Sequence, residues 1–259
     1  MNGHRVPLRF RPKPLEHGEA AIVLPKKLVE KEDEIALGAH LVCNRRQFGE
    51  CYRGTMPEIF DSMGPGGGVM VACFVSSGEI LPAMSFPGDI DLLIIPYEDE
   101  QLIVSATLVV ETKVVRARFS KQGKSPNEYG FSQAKAFIMH GFPYAAVGHL
   151  ITSDGSPEDS WRKVLTARVL DADGRVDAPT EMLADMLPSA LIDRSFGRLS
   201  ANCNHDLVGF FATYMTDDGV WFPSAQPAKR NPSTSQVTLD AVALFYEKNY
   251  QRFIDTPKY

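Results

Sequence analysis

No apolar run in this 259-residue chain approaches the ~20 residues that a membrane-spanning helix needs. The opening stretch MNGHRVPLRFRPKP also lacks the apolar block of a secretion signal. A soluble, cytoplasmic protein without membrane contact is expected. Cysteine is scarce: Cys43, Cys51, Cys73 and Cys203 form no CxxC pair and have no partners at zinc-finger spacing, although Cys203 and His205 stand two apart. That disfavours a zinc module and leaves buried, reduced thiols as the expectation. No Ser/Gly-rich linker divides the chain and no segment repeats, so one decorated domain is expected. No Lys-Ser/Thr pair follows the glycine cluster at 64 to 68, and the residues after it read as a strand, which makes the cluster a turn rather than a phosphate cradle. No Gly-x-Ser-x-Gly elbow accompanies His149 or His205, and both read as core or surface histidines.

What is present is patterned. The chain is 44% hydrophobic with a net charge of -5, which argues against coating nucleic acid by bulk electrostatics and moves attention to local patches. Residues 1 to 31 carry Arg5, Arg9, Arg11, Lys13, Lys26, Lys27 and Lys31 against Glu16, Glu19 and Glu30, with prolines between them. This reads as an extended basic arm. Residues 31 to 48 begin acidic, end basic and space their apolar residues for a helix. A short helix is expected at TMPEIFDSM, with Thr55 as its cap and Pro57 in its first turn.

The chain then alternates. Residues 69 to 75, 90 to 97 and 102 to 119 read as strands, with the acidic turn EDE joining an antiparallel pair. Residues 127 to 141 place Phe131, Ala134, Phe137 and Ile138 on one helical face, and YAAVGHLITS returns as a strand. The fold class expected is α/β, a central mixed sheet flanked by helices. Three segments follow: an arm and helix at 1 to 54, a core at 55 to 152, and a C-terminal α+β extension at 153 to 259. In the extension, 164 to 178 reads as a hairpin or strand with an Asp-Gly turn, and 179 to 199 as one or two helices. Residues 206 to 223 read as a second hairpin, the proline-rich stretch 223 to 235 as a loop, and 239 to 254 as a closing helix.

The stretch VVETKVV, residues 109 to 115, carries the chemistry. A strand alternates its faces, so Glu111 and Lys113 point one way while Val110, Thr112 and Val114 point the other. The same rule on the preceding strand groups Asp89, Asp91 and Leu93 against Ile90, Leu92 and Ile94. An aspartate can then face Glu111 and Lys113 across the ladder.

Asp91 followed by Glu111-Thr112-Lys113, in the order helix, three strands, helix, strand, resembles the PD-(D/E)xK nuclease superfamily, with its restriction-endonuclease-like core. The resemblance covers residues 55 to 152. The family's Pro-Asp pair is not intact, since the chain reads Pro87-Gly88-Asp89-Ile90-Asp91. Asp91 is preferred because it precedes the apolar run LLII, with Asp89 as the rival. The helical glutamate of many members has three candidates here, Glu58, Glu34 and Glu50.

The resemblance implies a Mg²⁺-dependent deoxyribonuclease, with Mn²⁺ able to substitute. Asp91, Glu111 and the carbonyl of Thr112 would hold the metal, because a hard divalent cation relieves the repulsion of two adjacent carboxylates. Lys113 would orient water and stabilise charge on the phosphate. Gln133 would position the water or Lys113. Between Lys113 and Lys135, the six cations Lys113, Arg116, Arg118, Lys121, Lys124 and Lys135 face one anion, Glu128. The five beyond Lys113 are expected to contact DNA phosphates. Small members of the superfamily often work beside a helicase, an ATPase or a copy of themselves, for example in restriction or antiphage defence. The alternative is an inactive nuclease-fold module that binds nucleic acid or a partner protein.

Overall fold

The apolar runs on either side of Glu111-Thr112-Lys113 form the middle of a nine-stranded mixed sheet. The computed structural model of the chain describes residues 4–14, 26, 33–123, 125–126, 128–216 and 221–258. In chain order, β1 (Arg5–Pro7) is followed by the helices α1 (Asp33–Cys43), α2 (Arg45–Thr55) and α3 (Pro57–Ser62). Next come β2 (Gly68–Ser76), a single turn α4 (Ser77–Ile80), β3 (Asp89–Glu98), β4 (Gln101–Ile103) and β5 (Leu108–Arg116). The helix α5 (Phe131–Met139) leads to β6 (Tyr144–Thr152). Strands β7 (Arg162–Thr166) and β8 (Thr180–Ala184) precede α6 (Leu187–Asn202), β9 (Gly209–Tyr214), β10 (Ser224–Gln226), α7 (Gln236–Asn249) and β11 (Phe253–Pro257).

The strands lie in the order β11-β2-β3-β5-β6-β9-β10, with β4 continuing along the β5 edge of β3 and β1 outside β4. β3 is antiparallel to β2 and β5, whereas β5, β6 and β9 are mutually parallel. Alternation along the strands feeds two cores. Val71, Leu92, Ile94, Leu108, Val110 and Leu150 pack under α1, α2 and α3. Met70, Leu93, Val109, Val147, Phe210 and Ala212 pack under α5, α6 and α7. Phe137, Phe142 and Phe210 are fully buried on this second side, each contributing about 1.5 to 3 kcal/mol of transfer free energy.

Several expectations are corrected. The helical stretch at 31 to 48 is two helices, because the side chain of Asn44 caps α2 by accepting the N–H of Gln47 at 3.2 Å. Thr55 closes α2, donating its hydroxyl to the carbonyl of Cys51, and Met56 rather than Thr55 flanks α3, with Pro57 at its start. The strand expected at 102 to 119 is interrupted by a 3-10 turn at Val104–Ala106. β4 and β5 both pair with β3, in different registers, and the turn absorbs the extra residues between them. Residues 180 to 184 form β8 rather than helix, residues 224 to 226 form β10 within the expected loop, and the closing helix stops at Asn249 so that β11 can pair with β2.

The basic arm is partly docked. β1 pairs with β4, and Arg11 lies 4.6 Å over the ring of Tyr97 while donating to Glu100 and Asp255, each at 2.8 Å. Lys27 and Lys31 lie outside the described residues. Of the four thiols, all unpaired, Cys51 is buried, whereas Cys43 is exposed against expectation. No helix among the described residues is long and apolar enough to cross a membrane.

Candidate active site

The ladder between β3 and β5 ends early. Leu92, Leu93 and Ile94 pair with Val110, Val109 and Leu108, and the strands then splay apart. Every second opposite pair in an antiparallel ladder exchanges N–H and C=O bonds, so beyond Leu92 the groups of β5 that face β3 lose their ladder partners. Two carboxylates take over. Asp91 Oδ2 accepts the backbone N–H of Thr112 at 2.6 Å and the Thr112 hydroxyl at 2.9 Å. Glu34, in the first turn of α1, accepts the N–H of Val114 through Oε1 at 3.2 Å. In a strand the carbonyl shares the side of its own N–H, so the Thr112 carbonyl also faces this fork.

Asp91 reaches the fork because the pleat of β3 turns over. Ile90 belongs to the same core as Leu93, whereas Leu92 belongs with Ile94 to the core under α1, so the expected grouping of Ile90 with Leu92 and Ile94 is wrong. The partner strand breaks at the same level: Cys73 pairs with Leu92 and Val75 with Ile90, and between them Phe74 has φ +55°. A bulky residue in that region is strained, and the strain sits beside Asp91. Asp89, the rival, is exposed at the strand start.

Glu111 and Lys113 share a face as alternation requires. Lys113 Nζ lies 2.8 Å from Glu111 Oε1 and 3.7 Å from Glu34 Oε2. Of the three candidate helical glutamates, Glu34 is the one joined to this site, whereas Glu50 and Glu58 belong to α2 and α3. Gly130, at the N-terminus of α5 with φ +85°, roofs the pair, and a Cβ there would lie 3.1 Å from Glu111 Cγ and 3.6 Å from Lys113 Cγ. Neither sequence periodicity nor the E-x-K spacing flags that glycine; its position just ahead of an amphipathic helix is the available signal.

The electrostatics follow from burial. Desolvation raises the pKa of Asp91 to about 6, against the opposing hydrogen bonds from Thr112. Desolvation and then the Asp91 charge raise Glu111 to about 7, with Lys113 working the other way. Burial opposes the charge on Lys113, but its hydrogen bond to Glu111 and the fields of Glu111, Glu34 and Asp91 prevail, so its pKa is raised. Three carboxylates thus surround one ammonium, leaving a negative site when all are ionised.

Among the described residues no group of three or more acidic, histidine or cysteine side chains converges as a ready metal cage. The expected set is two carboxylates and a carbonyl, and Mg²⁺ is commonly bound by one or two carboxylates with water and substrate oxygens completing its shell. Asp91, Glu111 and the Thr112 carbonyl are of the donor type that such an ion takes, and in this structure Glu111 is paired with Lys113 instead.

The remaining site residues are scattered. Gln133 is half-buried on α5 and accepts from Ser132 at 2.8 Å, with no contact to the carboxylates. Arg116, Arg118, Lys121 and Lys135 are exposed beyond the C-terminal end of β5 and on α5, and Lys124 lies outside the described residues. Arg118 and Lys121 bridge across a tight turn. Arg194 of α6, not anticipated from sequence, reaches this turn by donating to Gln122 at 2.5 Å. His149 is fully buried beside Lys113 in the β5–β6 register, with Nδ1 2.8 Å from Ser195 Oγ. Burial lowers its pKa to about 4, so it is a neutral core residue near pH 7. Compared with protein-family models, curated proteins and solved structures, the chain matches none.

Proposed function

We propose that the chain is a metal-dependent nuclease that hydrolyses DNA phosphodiester bonds at the fork between β3 and β5. The observation that carries this reading is the pairing of Lys113 with both Glu111 and Glu34 next to Thr112, whose backbone N–H is held by the buried carboxylate of Asp91. Hydrogen bonds to the β5 edge account for Asp91 and Glu34, but not for Glu111, a strand carboxylate whose pKa is raised by burial to about 7.

A divalent cation held by Asp91, Glu111 and the Thr112 carbonyl would polarise the scissile phosphate and lower the pKa of the attacking water. The chain's own residues do the rest. Thr112 fixes one oxygen of Asp91 with two hydrogen bonds, and the other would serve the cation. Lys113 would direct its ammonium at the phosphate, where charge builds as the water oxygen bonds to phosphorus and the bond from phosphorus to the leaving sugar oxygen breaks, the proton lost by the water balancing the one that the leaving oxygen takes from solvent. Burial of the fork strengthens that interaction. The exposed cations Arg116, Arg118, Lys121 and Lys135 would hold the DNA backbone by its phosphates.

The test is cleavage of plasmid and linear DNA with Mg²⁺ or Mn²⁺. Wild-type chain is expected to cut, and Glu111→Ala with Lys113→Ala to abolish cutting while the fold persists. Activity surviving that double change overturns the assignment. One observation favours the inactive module instead: Lys113 is tied by both Glu111 and Glu34, and its side chain is only 16% exposed. That reading predicts salt-sensitive DNA binding with no metal-dependent cleavage.

A further inference from the structure

Strands β7 and β8 form a two-stranded sheet of their own, separate from the nine-stranded sheet. Such a ribbon is at best marginally stable alone, yet this one is fixed at its root and at its tip. At the root, Asp185 accepts the N–H of Ser156 at 3.0 Å and of Leu187 at 2.9 Å, clamping the two ends of the insertion together. At the tip, Asp171 accepts the N–H groups of Asp173 and Arg175 and pairs with the Arg175 guanidinium at 2.5 Å. The ribbon is therefore a built arm, but its apolar side chains are bare. Leu165 is 74% exposed, Val169 69% and Leu170 64%, with Val176, Met182 and Leu183 about half exposed. They are spread over both faces of the ribbon: Leu165 and Leu183 share one face with Lys163 and Glu181, and Met182 lies on the other, opposite Val164.

The occupant is indicated by charge. From residue 161 to 184, Arg162, Lys163, Arg168 and Arg175 are balanced by Asp171, Asp173, Asp177 and Glu181, so the arm is neutral. A surface for nucleic acid would carry excess cations. The face bearing Leu165 is also self-complementary. Lys163 stands opposite Leu183 and Leu165 opposite Glu181, so the leucines occupy one diagonal and the ion pair Lys163–Glu181, at 2.6 Å, the other. A two-fold axis along the leucine diagonal sets each leucine on its own copy and each Lys163 over the Glu181 of a second chain. The ribbons then cross near a right angle, one of the two ways sheets pack, and the interface is isologous, as in most dimers.

We infer that the β7–β8 ribbon is a dimerisation arm whose occupant is the same ribbon of a second copy of this chain. The inference is independent of the nuclease reading. Sedimentation velocity of the full chain is expected to show twice the 28.6 kDa chain mass, and Leu165→Asp with Leu183→Asp to return it to the single mass with an unchanged melting temperature for the body. Two charge variants guard against misfolding as the cause. Lys163→Glu alone and Glu181→Lys alone are each expected to be monomeric, and an equimolar mixture of the two to recover the dimer, because both cross-chain contacts are then between opposite charges. A wild-type chain that remains at 28.6 kDa up to about 100 µM overturns the inference, as does a dimer unaffected by the leucine changes. Ribbon changes that weaken DNA binding without altering mass would assign the arm to nucleic acid and overturn it too.

Discussion

Asp91 and Thr112 are joined twice, through the Thr112 N–H at 2.6 Å and its hydroxyl at 2.9 Å, both to the same oxygen of the carboxylate. A side chain thereby replaces the ladder bond lost where β3 leaves β5. An amide oxygen can accept the same two hydrogen bonds, so structure and chemistry separate at this residue. The native pKa of Asp91 is raised to about 6 by burial. Above that pH its charge therefore costs the fold stability, on the order of 1 to 3 kcal/mol. Asp91→Asn is expected to leave the melting temperature at pH 8 equal or higher and to abolish metal-dependent cleavage. Calorimetry alongside a nuclease assay reads both; a large loss of stability would contradict the hydrogen-bond account.

The two raised carboxylates also set a pH dependence. Between the ordinary carboxylate range and about 7, the native state binds more protons at Asp91 and Glu111 than the unfolded chain. Their contribution to stability thus falls as pH rises through that window and reaches its minimum above it. A divalent cation held there would bind the ionised pair, so the melting-temperature increment on adding Mg²⁺ or Mn²⁺ should grow from pH 5.5 to pH 8. At a hundredfold excess over its dissociation constant the ion contributes about 2.7 kcal/mol, or roughly 5 to 10 °C for a chain of this size. Scanning fluorimetry with and without the ion gives the increment, and one independent of pH would contradict the site.

Gly130 packs its backbone against Glu111 and Lys113 with φ +85°. Gly130→Ala meets both a left-handed conformation and a contact of 3.1 Å to Glu111 Cγ. A loss of about 1 to 3 kcal/mol in chemical denaturation is expected, with reduced cleavage at temperatures where the variant remains folded. A neutral result would show that α5 does not constrain the site.

The exposed cations beyond β5 are proposed to contact phosphates. Arg118→Ala with Lys121→Ala should weaken DNA binding for all sequences alike and reduce the slope of log affinity against log salt by about 2. Fluorescence anisotropy across a salt series measures it. An unchanged slope would remove this turn from the interface.

Alternation alone made the shared face of Glu111 and Lys113 legible in the sequence, because a period of two is a local property. The apolar face of α5 was equally legible from Phe131, Ala134, Phe137 and Ile138, all of which are buried. Glu34 was not singled out from Glu50 and Glu58, since its role depends on α1 docking across the fork, a contact 80 residues apart in the chain. The turnover of the pleat at Asp91 was hidden for the same reason: it is enforced jointly with Phe74 on the neighbouring strand. Residues 180 to 184 read as helix by composition, and pairing with β7 overrides that preference. β11 likewise forms because β2 offers it an edge.

The central claim is that the fork between β3 and β5 is a divalent-metal site. An anomalous-difference map from a crystal soaked in Mn²⁺ tests it most directly. The account predicts a peak about 2.0 to 2.2 Å from oxygens of Asp91 and Glu111 and of the Thr112 carbonyl, with Lys113 displaced from Glu111. A map with no peak there, and the Glu111–Lys113 pair unbroken at saturating Mn²⁺, would contradict it.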